Sequence, residues 1–359
     1  MKSHGSRHII FSIFCMLILG ISSLSAQVAT SRIVGYNSTT CLGGSDTYVS
    51  VPFHQAPAYS GSLAANVTFF NASILVPASG TPGWTVDEFV GSHYVKFTSG
   101  AAAGLILEIT ANGAADFTVN PDGFGRLLLK TGDRFLIIPH WTLATLLPAA
   151  TQTTLHPSTG DLISGRGSEV HFFEPTATGI DLAPEKIYYV KTSGWFQSDT
   201  GAPAAGSVIV PPHSALVIRH QPAAADTVFR PAAHVDVYTS AVLISTKQGS
   251  GNDNVLAIIR PIPTRLADLG FTTANFKRST SNDPTRRGDE LLIFDNTVAA
   301  QNKSETTRYF LTSTGWRLDN EADYPISDDA ELPPGSVIVV RKGPGTRDGI
   351  VAWKNEPTY

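Results

Sequence analysis

The chain has 359 residues, 42% of them hydrophobic and only 16% charged, against about 25% charged in an average globular protein. That length exceeds what one core usually fills, so two or three domains are expected, and the apolar content argues against disorder. A formal charge of −4 disfavours nucleic acid as a partner, because phosphate binding draws its affinity from clustered Lys and Arg.

The chain opens "MKSHGSRHIIFSIFCMLILGISSLSAQ", with Lys2 and Arg7 ahead of an apolar run from Ile9 to Ile21 and then small polar residues. This is the pattern of a secretory signal peptide over residues 1–26, cut after Ala26 or one residue earlier. The apolar run is too short for a membrane anchor, which needs roughly twenty residues, so no integral span is expected in the mature chain. Bulky Phe14 ahead of Cys15 argues against a lipid-anchored cysteine. Cleavage leaves 24 basic against 30 acidic residues, a balance of −6, and leaves Cys41 as the one cysteine, so no intrachain disulfide can form. A buried, inert thiol is the expected state of Cys41.

Beyond the leader the apolar runs are short and β-prone: "TYVSVPF", "HYVKFTS", "LILEIT", "FTVN", "RFLIIP", "EVHFF", "KIYYVK", "SVIV", "ALVIRH", "AVLIST", "VLAIIR", "ELLIFD", "RYFLT" and "SVIVVRK". Turn signals such as "NPDG" at Asn120 and "GSGNDN" at Gly249 separate them. Only "WTLATLL" near Trp141 and "PTRLADLG" near Pro263 could form a short helix.

Part of the pattern is written twice. "GSEVHFFE" from Gly167 matches "GDELLIFD" from Gly288, and "YYVKTSGW" ending at Trp195 matches "YFLTSTGW" ending at Trp316, both 121 residues apart. "PPHSALVIRH" from Pro211 matches "PPGSVIVVRK" from Pro333 at an offset of 122. The fold class expected is therefore all-β, with tandem duplicated sandwich or barrel units and an additional N-terminal or inserted β module. The boundaries drawn are 1–26 signal peptide, 27–139 N-terminal β module, 140–235 first repeat copy and 236–359 second copy. The upstream limit has two readings. "GDRFLIIP" at Gly132 can lie on "DNVLAIIRP", or "GSDTYVSVPF" at Gly44 can lie on "GNDNVLAIIR" at Gly251, which makes residues of about 60 to 150 an insertion into the first copy.

Candidates for chemistry are few. Trp195 and Trp316 could be stacking platforms for sugar rings, but a tryptophan after a hairpin turn in both copies is better explained as scaffold. Glu169 and Glu290 begin equivalent strands, and Arg219 and Arg341 end equivalent ones, so each copy can set a carboxylate opposite a guanidinium. A catalytic pair such as Glu169 with Glu174, or Glu290 with Asp295, conflicts with strand spacing, and no catalytic residue is assigned. His54, His93, His140, His156, His171, His213, His220 and His234 are dispersed without zinc-site spacing, so no metal and no cofactor are expected. "GSGNDN" and "SDDAE" at Ser327 read as solvated loops rather than calcium sites. No nucleophile elbow, P-loop or dinucleotide fingerprint occurs. Glycosylation sequons stand at Asn37, Asn66, Asn71 and Asn302.

The phrases "GSDTYVSVPFHQAPAYSG", "GDRFLIIPHWTLATLLP" and "RRGDELLIFDNTVAAQNKS" followed by "YF" and "GWR" resemble an uncharacterised paralogous family of secreted β-rich proteins of verrucomicrobial bacteria. The resemblance implies a bacterial exported protein and carries no activity. His171, a polar residue in an otherwise apolar strand, departs from it. The expected role is an exported, non-catalytic structural or binding protein of the envelope or extracellular space, recognising carbohydrate or a surface. The alternatives are a secreted hydrolase of glycoside hydrolase type, with an acid pair assembled only in tertiary structure, and an outer-membrane barrel, which Pro-rich interruptions and the polar end "KNEPTY" oppose.

Overall fold

The computed structural model describes residues 33–69, 74–120, 127–174, 177–200, 203–204, 206–283, 286–319, 321–357 and 359, so the signal-peptide segment and Asn71 lie outside the described residues. The fold is all-β; the described residues include one four-residue α-helix, Leu143–Leu146, and two short 3-10 turns, Ile163–Gly165 and Leu266–Leu269. No helix among the described residues is long and apolar enough to cross a membrane.

Two sheets share one strand order. In the second copy an antiparallel sheet runs in the order Asn252–Ala257, Val337–Lys342, Glu290–Ile293, Thr307–Thr312, Gly315–Leu318. The first copy has the same order in Asp46–Ser50, Ala215–His220, Ser168–Phe172, Lys186–Lys191, Gly194–Gln197, with Pro203–Ala204 added at the end. Arg219 faces Asp46 in register as Arg341 faces Asp253. The two helical candidates also correspond. Leu143–Leu146, "LATL", and the 3-10 turn Leu266–Leu269, "LADL", each follow a two-residue bridge strand and bury their first leucine.

These pairings correct the boundary at residue 139. Asp46–Ser50 is a strand of the first copy, which is therefore discontinuous, and the alignment of Gly44 on Gly251 is the one the sheets follow. Sequence could not choose because "GDRFLIIP" and "TYVSVPF" carry the same alternation, whereas the choice depends on a strand partner some 170 residues away. The intervening segment forms its own six-stranded sheet, from Tyr59–Ser62 and Ile74–Pro77 to Arg134–Pro139. Among the described residues three large cores result, Leu63 to Ile137 in the inserted module, Cys41 and Val49 with Leu143 to Phe229 in the first copy, and Val242 to Trp353 in the second, with a smaller cluster of Tyr94, Leu136 and Ile138 on the inserted sheet. The outer face of the inserted sheet is pinned by buried Lys96, which pairs with Asp236 and donates to Ser240 Oγ at 2.6 Å.

Both repeat tryptophans are scaffold: each is only 3% exposed and belongs to its copy's core. The Trp195 indole N–H donates to the Leu147 carbonyl at 3.2 Å, and Trp316 packs edge-on against Phe276. Cys41 is fully buried, and burial pushes its thiol up to about 11, so it is inert.

The copies differ in how they fill one equivalent polar site. The second uses a buried ion pair, Lys342 with Asp289. The first uses a neutral chain, in which Ser168 Oγ and Thr227 Oγ1 bond the two ring nitrogens of His220 at 2.8 Å each. Since Thr227 already donates to the Thr154 carbonyl, His220 must donate through Nε2 and accept through Nδ1. Burial, with His156 adding to it, holds this imidazole down at about 4.

Two expectations follow from this packing. Trp195→Ala and Trp316→Ala should each destabilise the chain by about 3–5 kcal/mol in urea unfolding, and a cost near zero for either would contradict its place in a core. Between pH 6.5 and about 4 an unfolded His220 binds a proton that the folded one refuses. Its stability contribution, on the order of 2–3 kcal/mol, is therefore complete above that window and fades as pH falls through it. His220→Gln should flatten this acid limb of the unfolding midpoint, and an unchanged limb would assign it elsewhere.

Candidate functional site

Successive side chains of a strand point to opposite faces. Val170 and Phe172 enter the first copy's core, which leaves Glu169, His171 and Phe173 on the other face; in the second copy Glu290, Leu292 and Phe294 take those positions. The two outward faces enclose a cleft of about 620 Å³ lined from both copies, including Asp46, Tyr48, His171, Arg219, Asp253 and Arg341.

The cleft is held by a reciprocal exchange of loops. In the second copy the loop after Ile293 reaches the first copy, where the Asp46 amide donates to the Ala300 carbonyl at 2.9 Å and the Asn302 amide donates to Asp46 Oδ2 at 2.7 Å. In return the first copy's loop reaches the second: the Asp253 amide donates to Gly179 O at 2.7 Å, and the Asp181 amide donates to Asp253 Oδ2 at 2.8 Å. Asp181 and Asn302 occupy equivalent positions and share a left-handed backbone, φ 55° and 53°, which Asp and Asn tolerate better than other side-chain-bearing residues. The relation is that of a two-fold homodimer interface built within one chain.

At the centre of each exchange is a forked ion pair. Arg219 donates through Nε and Nη2 to the two oxygens of Asp46, at 2.6 and 2.7 Å, and Nη2 also reaches Asn302 Oδ1 at 2.6 Å. Arg341 grips Asp253 at 2.8 Å through both nitrogens and reaches Asp181 at 2.7 Å. The aspartate side chains are each 4% exposed, the arginines 19% and 20%. Hydrogen bonds to these carboxylates raise both guanidinium pKa values, so the arginines stay charged.

The expected opposition of Glu169 with Arg219 and of Glu290 with Arg341 exists in strand register. The ion partner of each arginine is nevertheless an aspartate on the neighbouring edge strand. Burial alone would raise Glu169, but hydrogen bonds from His171 at 3.1 Å and Arg166 at 2.6 Å outweigh it and hold the carboxyl below its ordinary range. Among the described residues Glu290 has no such donors. Burial pushes it up against the pull of Arg308 at 3.7 Å, because Arg287, the counterpart of Arg166, pairs with Asp319 instead. The Asp295 carboxylate is occupied by the N–H and O–H of Thr297, both at 2.7 Å.

Other candidates resolve into structure. "GSGNDN" is no solvated loop: Asn252, Asp253 and Asn254 are buried in a strand and bonded to Ser245, Gly179 and Arg341. In "SDDAE" Asp328 accepts the Trp316 amide at 2.7 Å while Asp329 is exposed. The sequon side chain of Asn37 is buried on Pro334, and that of Asn302 is committed to Arg219. The histidines do meet in two places, His54 on His234 and His156 on His220, but no group of three His, Cys, Asp or Glu converges among the described residues.

Sequence reading missed Asp46, Asp253, Asp181 and Asn302. The signal was present in "GSD" over "GND", where the alignment of Gly44 on Gly251 superposes Asp46 on Asp253. Compared with known proteins, the chain matches no family model and no curated protein.

Removing either fork carboxylate leaves an arginine and the opposing loop's amide without their acceptor. Asp46→Ala and Asp253→Ala should each cost about 2–4 kcal/mol, measured by denaturant unfolding. A cost below about 0.5 kcal/mol for both would show that the loops dock without the forks.

Proposed function

We propose that this chain is an exported, non-catalytic binding protein of the cell envelope or extracellular space, and that the cleft between its two copies recognises a carbohydrate-bearing surface. The observation that carries the reading is the state of the cleft's acids. Asp46, Asp181, Asp253 and Glu305 are each held by an arginine, Arg219, Arg341 or Arg308. A carboxylate fixed in this way is a poor proton donor or nucleophile, and a glycosidase needs one acid free to protonate and another to attack or activate water. The same forks make good recognition elements, because a planar guanidinium and its carboxylate present donors and acceptors in fixed directions. Val217, Val255, Val339 and Phe173 are among the apolar residues of the lining, and such a mixture is common in ligand sites. Export is supported by the leader-like first 26 residues, and it would bring the protein to polysaccharide.

The leaderless chain should be retained by at least one member of a panel of insoluble and soluble cell-wall and algal-type polysaccharides, with no reducing sugar released on prolonged incubation. Retention by none would remove the binding reading. Sugar release that disappears when two cleft carboxylates are replaced would establish the hydrolase instead.

A further inference from the structure

We infer that the cleft takes a neutral saccharide and that His171 is a specificity-determining residue of the more polar of its two unlike halves. The inference rests on the binding reading above and narrows its ligand.

Charge gives the first constraint. The lining carries Asp46, Asp181, Asp253 and Glu305 against Arg219, Arg308, Arg341 and Lys303, equal numbers of each sign. A site for uronate or sulfate would need an excess of cation, and a site for an amine an excess of acid; here neither exists.

Hydrogen-bonding capacity gives the second. Arg219 and Arg341 use Nε and Nη2 on protein acceptors, and among the described residues neither Nη1 has one. A guanidinium has five N–H donors, so each fork keeps a corner for a ligand oxygen, and the local two-fold sets two such corners across one cleft.

His171 supplies the complementary acceptor. Its Nε2 meets Glu169 Oε2 at 3.1 Å, and Arg166 also donates to Glu169. An ionised Glu169 can only accept, so the neutral ring carries its hydrogen on Nε2 and keeps the Nδ1 lone pair. His171 lines the cleft, and no protein partner of Nδ1 occurs among the described residues. At the equivalent place in the second copy stands Leu292, also lining the cleft. Two halves alike in strand layout thus differ in chemistry: Tyr48 and His171 on the first copy's sheet line the cleft, with Lys303 and Glu305 on the loop that reaches it, and on the second Val255 and Leu292, with Leu182 and Pro184, stand at the equivalent places. A hydroxyl-bearing end of the ligand would face the first copy and a C–H-rich end the second. A molecule that is neutral, rich in hydroxyls that donate and accept, and apolar on its ring faces is a sugar.

The test measures affinity by calorimetry for neutral glucans and galactomannans, for polygalacturonate and for a sulfated polysaccharide, at low and high salt. The chain should bind a neutral member with an affinity that changes less than about twofold between roughly 0.05 and 0.5 M NaCl, where counterions would screen a charge-driven contact. His171→Leu installs the residue of the second copy, leaves Glu169 on Arg166 with one donor fewer, and should weaken binding roughly tenfold in a chain that still unfolds cooperatively at a lower melting temperature. Arg341→Lys retains a cation for Asp253 without the spare Nη1 and should weaken binding similarly, which decides the matter if the histidine variant fails to fold. Exclusive, salt-steep binding of the acidic polymers would overturn the neutral assignment while leaving the binding reading intact. Neutral binding indifferent to both substitutions would overturn the residue roles. Binding to nothing in the panel would remove both readings together.

Discussion

The forked pair of Asp46 with Arg219, repeated as Asp253 with Arg341, is the constraint from which the rest of the architecture follows. Each aspartate sits at the start of an edge strand, where unpaired backbone groups invite another chain. The opposing copy's loop occupies that edge, donating its own amide to the carboxylate and accepting the edge amide in return. One carboxylate therefore fixes an arginine on its own sheet and a loop from the other. Because the arrangement is reciprocal, loosening one fork leaves the other holding half an interface. A geometry that closes both edges also leaves the two outward sheet faces opposed, and the cleft is the space that remains between them.

The matched segments made some of this readable in the sequence. Trp195 and Trp316 recur because each closes a hairpin onto a core, and residues kept by packing keep their spacing. The strand register of Glu169 against Arg219 was legible for the same reason, since it is fixed by the short-range order of sheet and turn. Their ion partner was not. Arg219 takes Asp46, 173 positions away, over Glu169 directly opposite, and Arg341 likewise takes Asp253 over Glu290, although Glu169 is engaged by Arg166 and His171 and Arg287 pairs with Asp319 rather than with Glu290. What the two chosen aspartates share is an edge strand and a second donor from the opposing loop, and that arrangement exists only in three dimensions. The inserted module was hidden similarly, because its strands share the alternation of the repeats and differ only in what they pair with.

Once a fused pair no longer has to be identical, shape and chemistry can separate. Backbone positions are shared to the level of single hydrogen bonds: the Ser158 amide on Val190 O and the Ser279 amide on Leu311 O are both 2.7 Å. Side-chain chemistry at equivalent places has drifted. Ser168 with His220 stands where Asp289 pairs with Lys342, and Glu169 is held low where Glu290 is pushed up. A homodimer could not acquire His171 on one side of its axis alone. Two similar sheets within one chain are free of that constraint, and the cleft between them carries His171 on one side and Leu292 on the other.

The inserted module shows where such a fold accepts additional chain. It enters after Phe53–His54 and returns at Trp141–Thr142, where the Trp141 indole donates to the Phe53 carbonyl at 3.0 Å, so its ends lie together and the first copy's sheet is not interrupted. Proximity of the ends does not fix an orientation. Lys96 supplies that by reaching Asp236 and Ser240 in the segment that joins the two copies. A buried lysine paired outside its own module is a costly way to gain stability, and an apolar contact would hold as well. What the ion pair adds is directional: Nζ is satisfied in one arrangement only, so the module is locked to the joint between the copies while the forks lock the copies to each other.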